Sequence, residues 1–523
     1  MNFTDRLLFS EGAFPGQGFL ILHKRSLLIL STILVGVKVG VISAHQHLLM
    51  VVAVAAILFA LGAFLYPDSA TLVFMFLLVT NATVIAVKFH GVPYVVGASL
   101  PGMLIIPLIS HMFLKKQKLI IDPIFILLLI FLIIQLLSTL TSLYPKVAVS
   151  EMFTFITQWL AIHFLVVNTV RTSRMLRSVV WVIIVAGMVL GSVPLFQQVT
   201  GTFNNQYGGF AQTGDSSFGT GEETLLGEVR QPRLSGAIGE KNYYAQIMLM
   251  LVPLGLFRFW GEQSLIMRLF GLMGTALAGV GMVLAFSRGA AVGFVMMIVI
   301  LLFLRLIKPY QVALFIVVVA MVGVSMPQYA QRLISLQDLT SFFSDGADTA
   351  QVDSSMSSRA TEMLAAFNVF VDHPILGVGP GQFKYYSKKY GDALDISVLE
   401  GTREAHSLYL DIAAEFGFLG LTVFMAMLLL TLYRLYQVRL TKPGMANMAT
   451  TFILVIVSYM ATGIFLHMAY TRYFALMLAL ATAITVIASA EPQNEKHALL
   501  LDALSSEGQA SPQAQSERQE GSL

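Results

Sequence analysis

Cysteine is absent from all 523 residues, which excludes disulfides, thiolate metal sites and a cysteine nucleophile. Charge is scarce: Asp, Glu, Lys and Arg make up 12% of the chain against 56% hydrophobic residues, and mean hydropathy is +0.77. That much apolar surface cannot be hidden in soluble cores, so the chain reads as an all-α polytopic integral membrane protein. A formal net charge of +3 is too small to suggest a nucleic-acid partner. After Lys24 and Arg25 the sequence lacks a small-residue cleavage pattern and continues apolar, so the first span is expected to act as an uncleaved anchor. No fixed-period repeat and no inverted pair of Gly/Pro-broken spans of the transporter kind is found.

What is present is a succession of apolar windows, each about 20 residues and long enough to cross a bilayer. They predict about fourteen helices, near 26–43, 48–66, 70–87, 93–113, 119–142, 151–169, 177–197, 242–260, 268–286, 290–307, 311–326, 407–433, 447–467 and 472–489. With a cytoplasmic N-terminus, Lys24/Arg25, Lys115/Lys116/Lys118, Arg171/Arg174/Arg177, Arg258/Arg268, Arg305/Lys308 and Arg434/Arg439/Lys442 all fall on one side. The positive-inside rule makes that side cytoplasmic. Two large loops, 198–241 and 327–406, then share the outer face of a bundle spanning 1–490, and both termini stay inside. The polar tail 491–523, rich in Gln, Ser, Glu and Ala, is expected to be a disordered cytoplasmic segment.

The informative polar residues crowd the outer face. Arg230 lies in the first loop, Arg288 in the tight Phe286-Ser-Arg-Gly289 corner, and Arg359 in the second loop. An arginine between two apolar spans is costly unless something anionic meets it, and a guanidinium fork binds phosphate oxygens bidentately. Three around one cavity would suit a diphosphate. The same arginines, with Arg233 and Arg472, are also compatible with snorkelling to lipid headgroups or pairing with a local carboxylate. His406 sits where the second loop meets a span, placed to take a proton from a sugar hydroxyl or simply to sit at the interface; His467 is its competitor.

The second loop holds further candidates. Met363, Phe367, Phe370 and Val371 recur at helical spacing and predict a short amphipathic helix that rests on the bundle or the lipid interface and ends at Pro374. Gly377-Val-Gly-Pro-Gly381 reads as a tight turn, with an anion-binding nest of backbone N–H groups as the alternative. In the basic aromatic run that follows, Lys384, Tyr385 and Lys388 are candidate contacts to a glycan acceptor, against a default of interfacial anchoring. Asp345 and Asp348 read as part of a solvated loop, so no catalytic metal and no cofactor are expected.

These residues resemble the O-antigen ligase and Wzy-type polymerase superfamily of bacterial envelope glycosyltransferases. His406-Ser407, followed by Gly417 and Gly420, is similar to the family's histidine signature at the end of its large periplasmic loop. Arg230 with Leu234, Ser287-Arg288-Gly289, Gly239-Glu-Lys-Asn242 and the stretch from Arg359 through His373-Pro374 to Gly381 resemble further elements, so the likeness covers roughly residues 228 to 420. Ser407 stands where Asn is more usual, and the first third of the chain matches no motif.

The resemblance implies a GT-C-like, metal-independent, inverting transferase of the bacterial inner membrane with a periplasmic site. Its donor would be an undecaprenyl-diphosphate-linked oligosaccharide, with Arg230, Arg288 and Arg359 on the diphosphate and His406 at the acceptor. The leading expectation is a polymerase of exopolysaccharide or O-antigen repeat units, working in the lipid bilayer alongside other polysaccharide assembly proteins. A ligase passing the glycan to lipid A core or to protein is the close alternative. A flippase or other transporter is the competitor from a different class.

Overall fold

The computed structural model describes residues 60–94, 97, 100–224, 227–313, 317, 354–394, 401–467 and 471–509, without the side chains of 214–231, 354–357 and 491–509. The span predicted near 26–43, most of those near 48–66 and 311–326, and Asp345 and Asp348 lie outside them. The other predicted windows overlap helices, the one near 93–113 only over its second half. They are a bent pair, α1 (Pro67–Val79) and α2 (Ala82–His90); α3 (Ile105–Phe113); α4 (Pro123–Thr139); α5 (Pro145–Phe155) and α6 (Ile162–Thr169), joined by a π turn; α7 (Ser173–Thr200); α8 (Lys241–Gly261); α9 (Leu265–Leu284); and α10 (Arg288–Phe303). After α11 (Ser354–Asp372) and α12 (Phe383–Asp392) come α13 (Leu408–Thr441), α14 (Pro443–Thr462) and α15 (Thr471–Gln509).

Among the described residues seven helices are long and apolar enough to span a membrane, or eight if the bent α1–α2 pair is one span; Leu100–Phe113, α4 and α10 are apolar but shorter. The chain divides into two compact units, Met1–Thr71 with Met103–Lys118, and Leu72–Gly102 with Leu119–Leu523. In the first, Ser110 Oγ donates to the Phe64 carbonyl at 2.8 Å, and Asp68 accepts from Lys115 at 3.4 Å. The second holds the candidate site. Its innermost helix is α15, with 83% of its apolar window buried, and it packs against α6, α13 and α14.

One element departs from the expected all-α fold. In the first loop the chain forms an antiparallel hairpin, β1 (Gln212–Thr224) and β2 (Gly227–Gly236). Its register is irregular and its sequence rich in Gly, Ser, Thr and Glu, so it carries no clean apolar alternation to announce a strand. The tail also differs, because α15 runs to Gln509, past Glu491 where irregular structure was expected to begin.

α11 forms where the spacing predicted it, and its small side chains face inward. Thr361, Glu362, Ala365, Ala366 and Val369 are buried, while Leu364, Phe367 and Val371 are exposed. Small side chains let this helix approach α12 and α13 closely, and the larger apolar ones point away.

The Gly377–Gly381 segment is explained by a break in α13. Gly417 adopts φ +65°, ψ −164°, a conformation essentially confined to glycine, and a Cβ there would lie 2.3 Å from the Ile375 backbone. The break frees backbone groups for the turn alongside: Val378 and Gly379 N–H donate to the Ala414 and Glu415 carbonyls at 2.9 Å, and Phe418 N–H donates to the Pro374 carbonyl at 2.7 Å. Gly377 N–H donates to the His373 carbonyl at 3.1 Å, so these amides are committed to backbone and do not form an anion nest.

Candidate functional site

His406 precedes α13 in a left-handed conformation, φ +46°, with Ser407 extended as the N-cap. The same device recurs at the Arg288 corner: Phe286 has φ +51°, Ser287 is extended, and the helix starts at Arg288. Non-glycine residues adopt this conformation only where their surroundings enforce it, which marks both corners. At the first, Leu408 N–H donates to the Gly463 carbonyl at 2.7 Å, tying α13 to the end of α14. At the second, buried Arg233 braces the turn, donating from Nε to the Ala285 carbonyl at 3.0 Å and from Nη2 to the Phe286 carbonyl at 3.1 Å. Arg233 Nη2 also donates to Asn242 Oδ1 at 3.1 Å. It holds the corner together.

His406 Nδ1 lies 2.7 Å from Glu362 Oε2 on α11 and 3.2 Å from the Glu404 carbonyl oxygen. A carbonyl oxygen can only accept, so Nδ1 carries the proton and Nε2 is left as the basic nitrogen. The Glu362 side chain is 2% exposed and that of His406 26%, which gives a buried carboxylate behind a histidine that solvent or substrate can reach. Sequence reasoning missed Glu362. It lies three residues after Arg359, hence on the same side of α11, but that spacing alone does not set it apart from a solvated carboxylate.

His467 sits beside this pair, its ring centroid 5.8 Å from that of His406. The Tyr243 hydroxyl is 2.8 Å from its Nδ1. Burial, and secondarily the neighbouring His406, pushes its pKa down to about 3. An imidazole so reluctant to hold a proton is a poor general base, which favours His406 over its competitor.

This shift has a consequence for stability. The unfolded imidazole titrates near 6.5, so between roughly pH 3 and 6.5 the unfolded chain binds more protons and stability falls as pH is lowered. Melting temperatures of the wild type and His467→Gln should run parallel above pH 7 and diverge below about pH 6, the wild type losing more, by at most about 1.4 kcal/mol per pH unit. Parallel curves throughout would contradict a buried neutral His467.

A cavity of about 470 Å³ opens next to His467, with Lys384, Glu404, Asp411, Glu415 and Arg472 among its lining. Burial, opposed by Lys384, raises the pKa of Glu404. Arg472, at the start of α15, donates to Asn81 Oδ1, and Asn81 Nδ2 donates to the Ala237 carbonyl at 2.7 Å. Asn81 has φ 59° and occupies the break of the bent α1–α2 pair, whose axes differ by 57°.

The predicted residues fall as follows. Arg288, buried at the N-terminus of α10, His406 and half-buried Arg359 on α11 lie on elements ending at one end of the bundle, as does the β2 strand carrying Arg230. The Arg230 side chain is outside the described residues. Contacts of Arg233 with Phe286, of Tyr243 with His467 and of Gly289 with Phe465 link these elements at that end. Of the proposed glycan contacts, Lys384 lines the cavity, Tyr385 packs tilted against Tyr144 with centroids 4.4 Å apart, and Lys388 is exposed. At the opposite end Arg258 pairs with Glu262 at 2.9 Å, and Arg268 Nε donates to the Phe259 carbonyl at 3.1 Å.

A multi-pass helical membrane protein with a carboxylate-backed histidine at one end of its bundle is the class that fold and site define. Within it, residues 273–425 match the family model described as O-antigen ligase, as the resemblance implied. The matched residues include Arg288, Arg359, Glu362 and His406 and stop short of Arg230. No curated protein matches the chain.

Proposed function

We propose that the protein is a glycosyltransferase that takes its donor glycan from undecaprenyl diphosphate and polymerises O-antigen or exopolysaccharide repeat units on the periplasmic face. The observation that carries this is the His406–Glu362 pair inside the matched domain. In the reaction His406 Nε2 accepts the proton of an acceptor hydroxyl as its oxygen attacks the anomeric carbon. The bond to the lipid diphosphate breaks with inversion, and the diphosphate leaves as an anion. Arg230, Arg288 and Arg359 are the cations assigned to that developing charge, which fixed charges in a low-dielectric cleft stabilise strongly; on this reading no metal is required. Glu362 fixes the tautomer and steadies the imidazolium.

The bundle end opposite His406 carries Arg258, Arg268, Arg434 and Arg439, which by the positive-inside rule supports a periplasmic site in the bacterial inner membrane. Functional candidates concentrated at one end rather than at mid-membrane favour an enzyme over a flippase. The family description favours the second reading, a ligase that delivers the glycan to lipid A core.

The test is to supply the purified protein with lipid-linked repeat units alone. Chain lengthening is expected. Transfer only after lipid A core is added would make it a ligase, and no transfer in either case would overturn the enzyme reading. Glu362→Gln should lower turnover about 10- to 100-fold, the range for losing an orienting partner of a functional histidine. Unchanged turnover would remove Glu362 from the mechanism.

A further inference from the structure

At the end of the bundle opposite His406, α13 and α15 pack together beside another cavity, of about 330 Å³, with Arg434, Thr441, Lys442, Thr485 and Ser489 among its lining. Two features of the chain put it at the depth of lipid headgroups. The apolar window of α15 ends at Ala490, next to Ser489. On α13, Tyr433 and Tyr436, which flank Arg434, are 60% and 44% exposed, and tyrosine on a spanning helix concentrates at the membrane–water interface.

Arg434 is placed unlike a cation that serves only to orient the chain. Such a residue extends its head into water or pairs with a carboxylate. Arg434 does neither: its Nη1 is fully buried without a hydrogen bond, which holds the guanidinium against the helices, while its other nitrogens are not enclosed and the residue lines the cavity. Among the described residues no carboxylate pairs with Arg434 or Lys442, and none lines the cavity. Their charge is left for a ligand.

Phosphate is the anion a bilayer supplies at this depth. A guanidinium fork takes phosphate oxygens and an ammonium adds a point charge, and basic pockets between spanning helices are suited to acidic headgroups. The hydroxyls refine the choice. Thr441 Oγ1 donates to the Gln437 carbonyl and Ser489 Oγ to the Thr485 carbonyl, each at 2.8 Å, so both oxygens remain as acceptors. A glycerol headgroup can donate to them, whereas a choline headgroup brings a further positive charge against Arg434 and Lys442. Val438 and Ala488 add apolar wall for the lipid's glycerol backbone.

We propose that this cavity binds the headgroup of an anionic, hydroxyl-bearing phospholipid, its phosphate held by Arg434 and Lys442, and that the lipid bridges α13 and α15. The site is independent of the transferase reading and separate from the arginines assigned to the donor diphosphate.

Native mass spectrometry of the full-length protein in detergent tests it, with dioleoylphosphatidylglycerol, dioleoylphosphatidylcholine and inorganic phosphate as probes. The first phosphatidylglycerol should bind saturably, with Kd at least about tenfold below that for phosphatidylcholine, a comparison that needs no variant. Arg434→Gln should raise this Kd about tenfold and Lys442→Gln about fivefold. Arg439→Gln, on the same helix at the same end but outside the cavity lining, should change it less than about twofold, which separates a built site from diffuse attraction to a cationic surface. Excess inorganic phosphate should leave the lipid bound.

Equal affinity for the two lipids, unchanged affinity in both cavity variants, or an effect of Arg439→Gln as large as that of Arg434→Gln would overturn the assignment. Displacement of the lipid by inorganic phosphate would overturn it as well, and would make the cavity a site for free phosphate. Turnover of lipid-linked donor is measured apart from lipid binding, so the transferase reading and this site stand or fall separately.

Discussion

Alanine in place of Arg288 should cut product formation by about 10³-fold or more while the protein still reaches the membrane at normal levels. The expectation follows from placement. Arg288 is a buried guanidinium at the N-terminus of α10, where the helix dipole adds positive potential, and a left-handed Phe286 braced by Arg233 fixes the approach to it. Removing one preorganised donor from a developing anion typically costs 10²–10³-fold, and a charged, bidentate donor lies at or beyond the upper end. Arg288→Lys keeps the charge but loses the planar fork, so it should restore only part of the activity. In vivo polymer or ligated product, measured beside membrane protein level, reads both variants. Normal product from Arg288→Ala would contradict the diphosphate role.

The second large effect is expected at His406. His406→Ala removes the proton acceptor and should slow transfer by about 10²–10⁴-fold, the usual contribution of a general base, leaving slow but measurable turnover. Donor binding should change little, because the loss falls on the chemical step. The measurement is single-turnover transfer with donor saturating. An unchanged rate would remove His406 as base, and a loss confined to donor affinity would move it to the binding site.

Much of this was legible in the sequence, and the exceptions are physical. Apolar length alone located every described span, because the bilayer imposes it on each helix separately. The histidine signature was readable because Gly417 must accept a backbone pressed against Ile375, leaving a short pattern that side-chain packing does not blur. Glu362 was not legible: a lone carboxylate on a helix looks solvated until the fold buries it against His406, which lies 44 residues further along. The face of α11 turned to the bundle was not legible, because close packing selected Ala365, Ala366 and Val369 there and left the bulkier Phe367 and Val371 exposed.

For His406 to work on a periplasmic acceptor, the histidine end of the bundle must face away from the cytoplasm. Because the chain has no cysteine, single cysteines report without background. Asn204→Cys and Thr402→Cys, exposed near the hairpin and near His406, should react with a membrane-impermeant maleimide in spheroplasts with intact membranes. Thr441→Cys, exposed at the far end of α13, should react only after permeabilisation. Labelling of Asn204 and Thr402 from opposite compartments, or of Thr441 alone from outside, would contradict it.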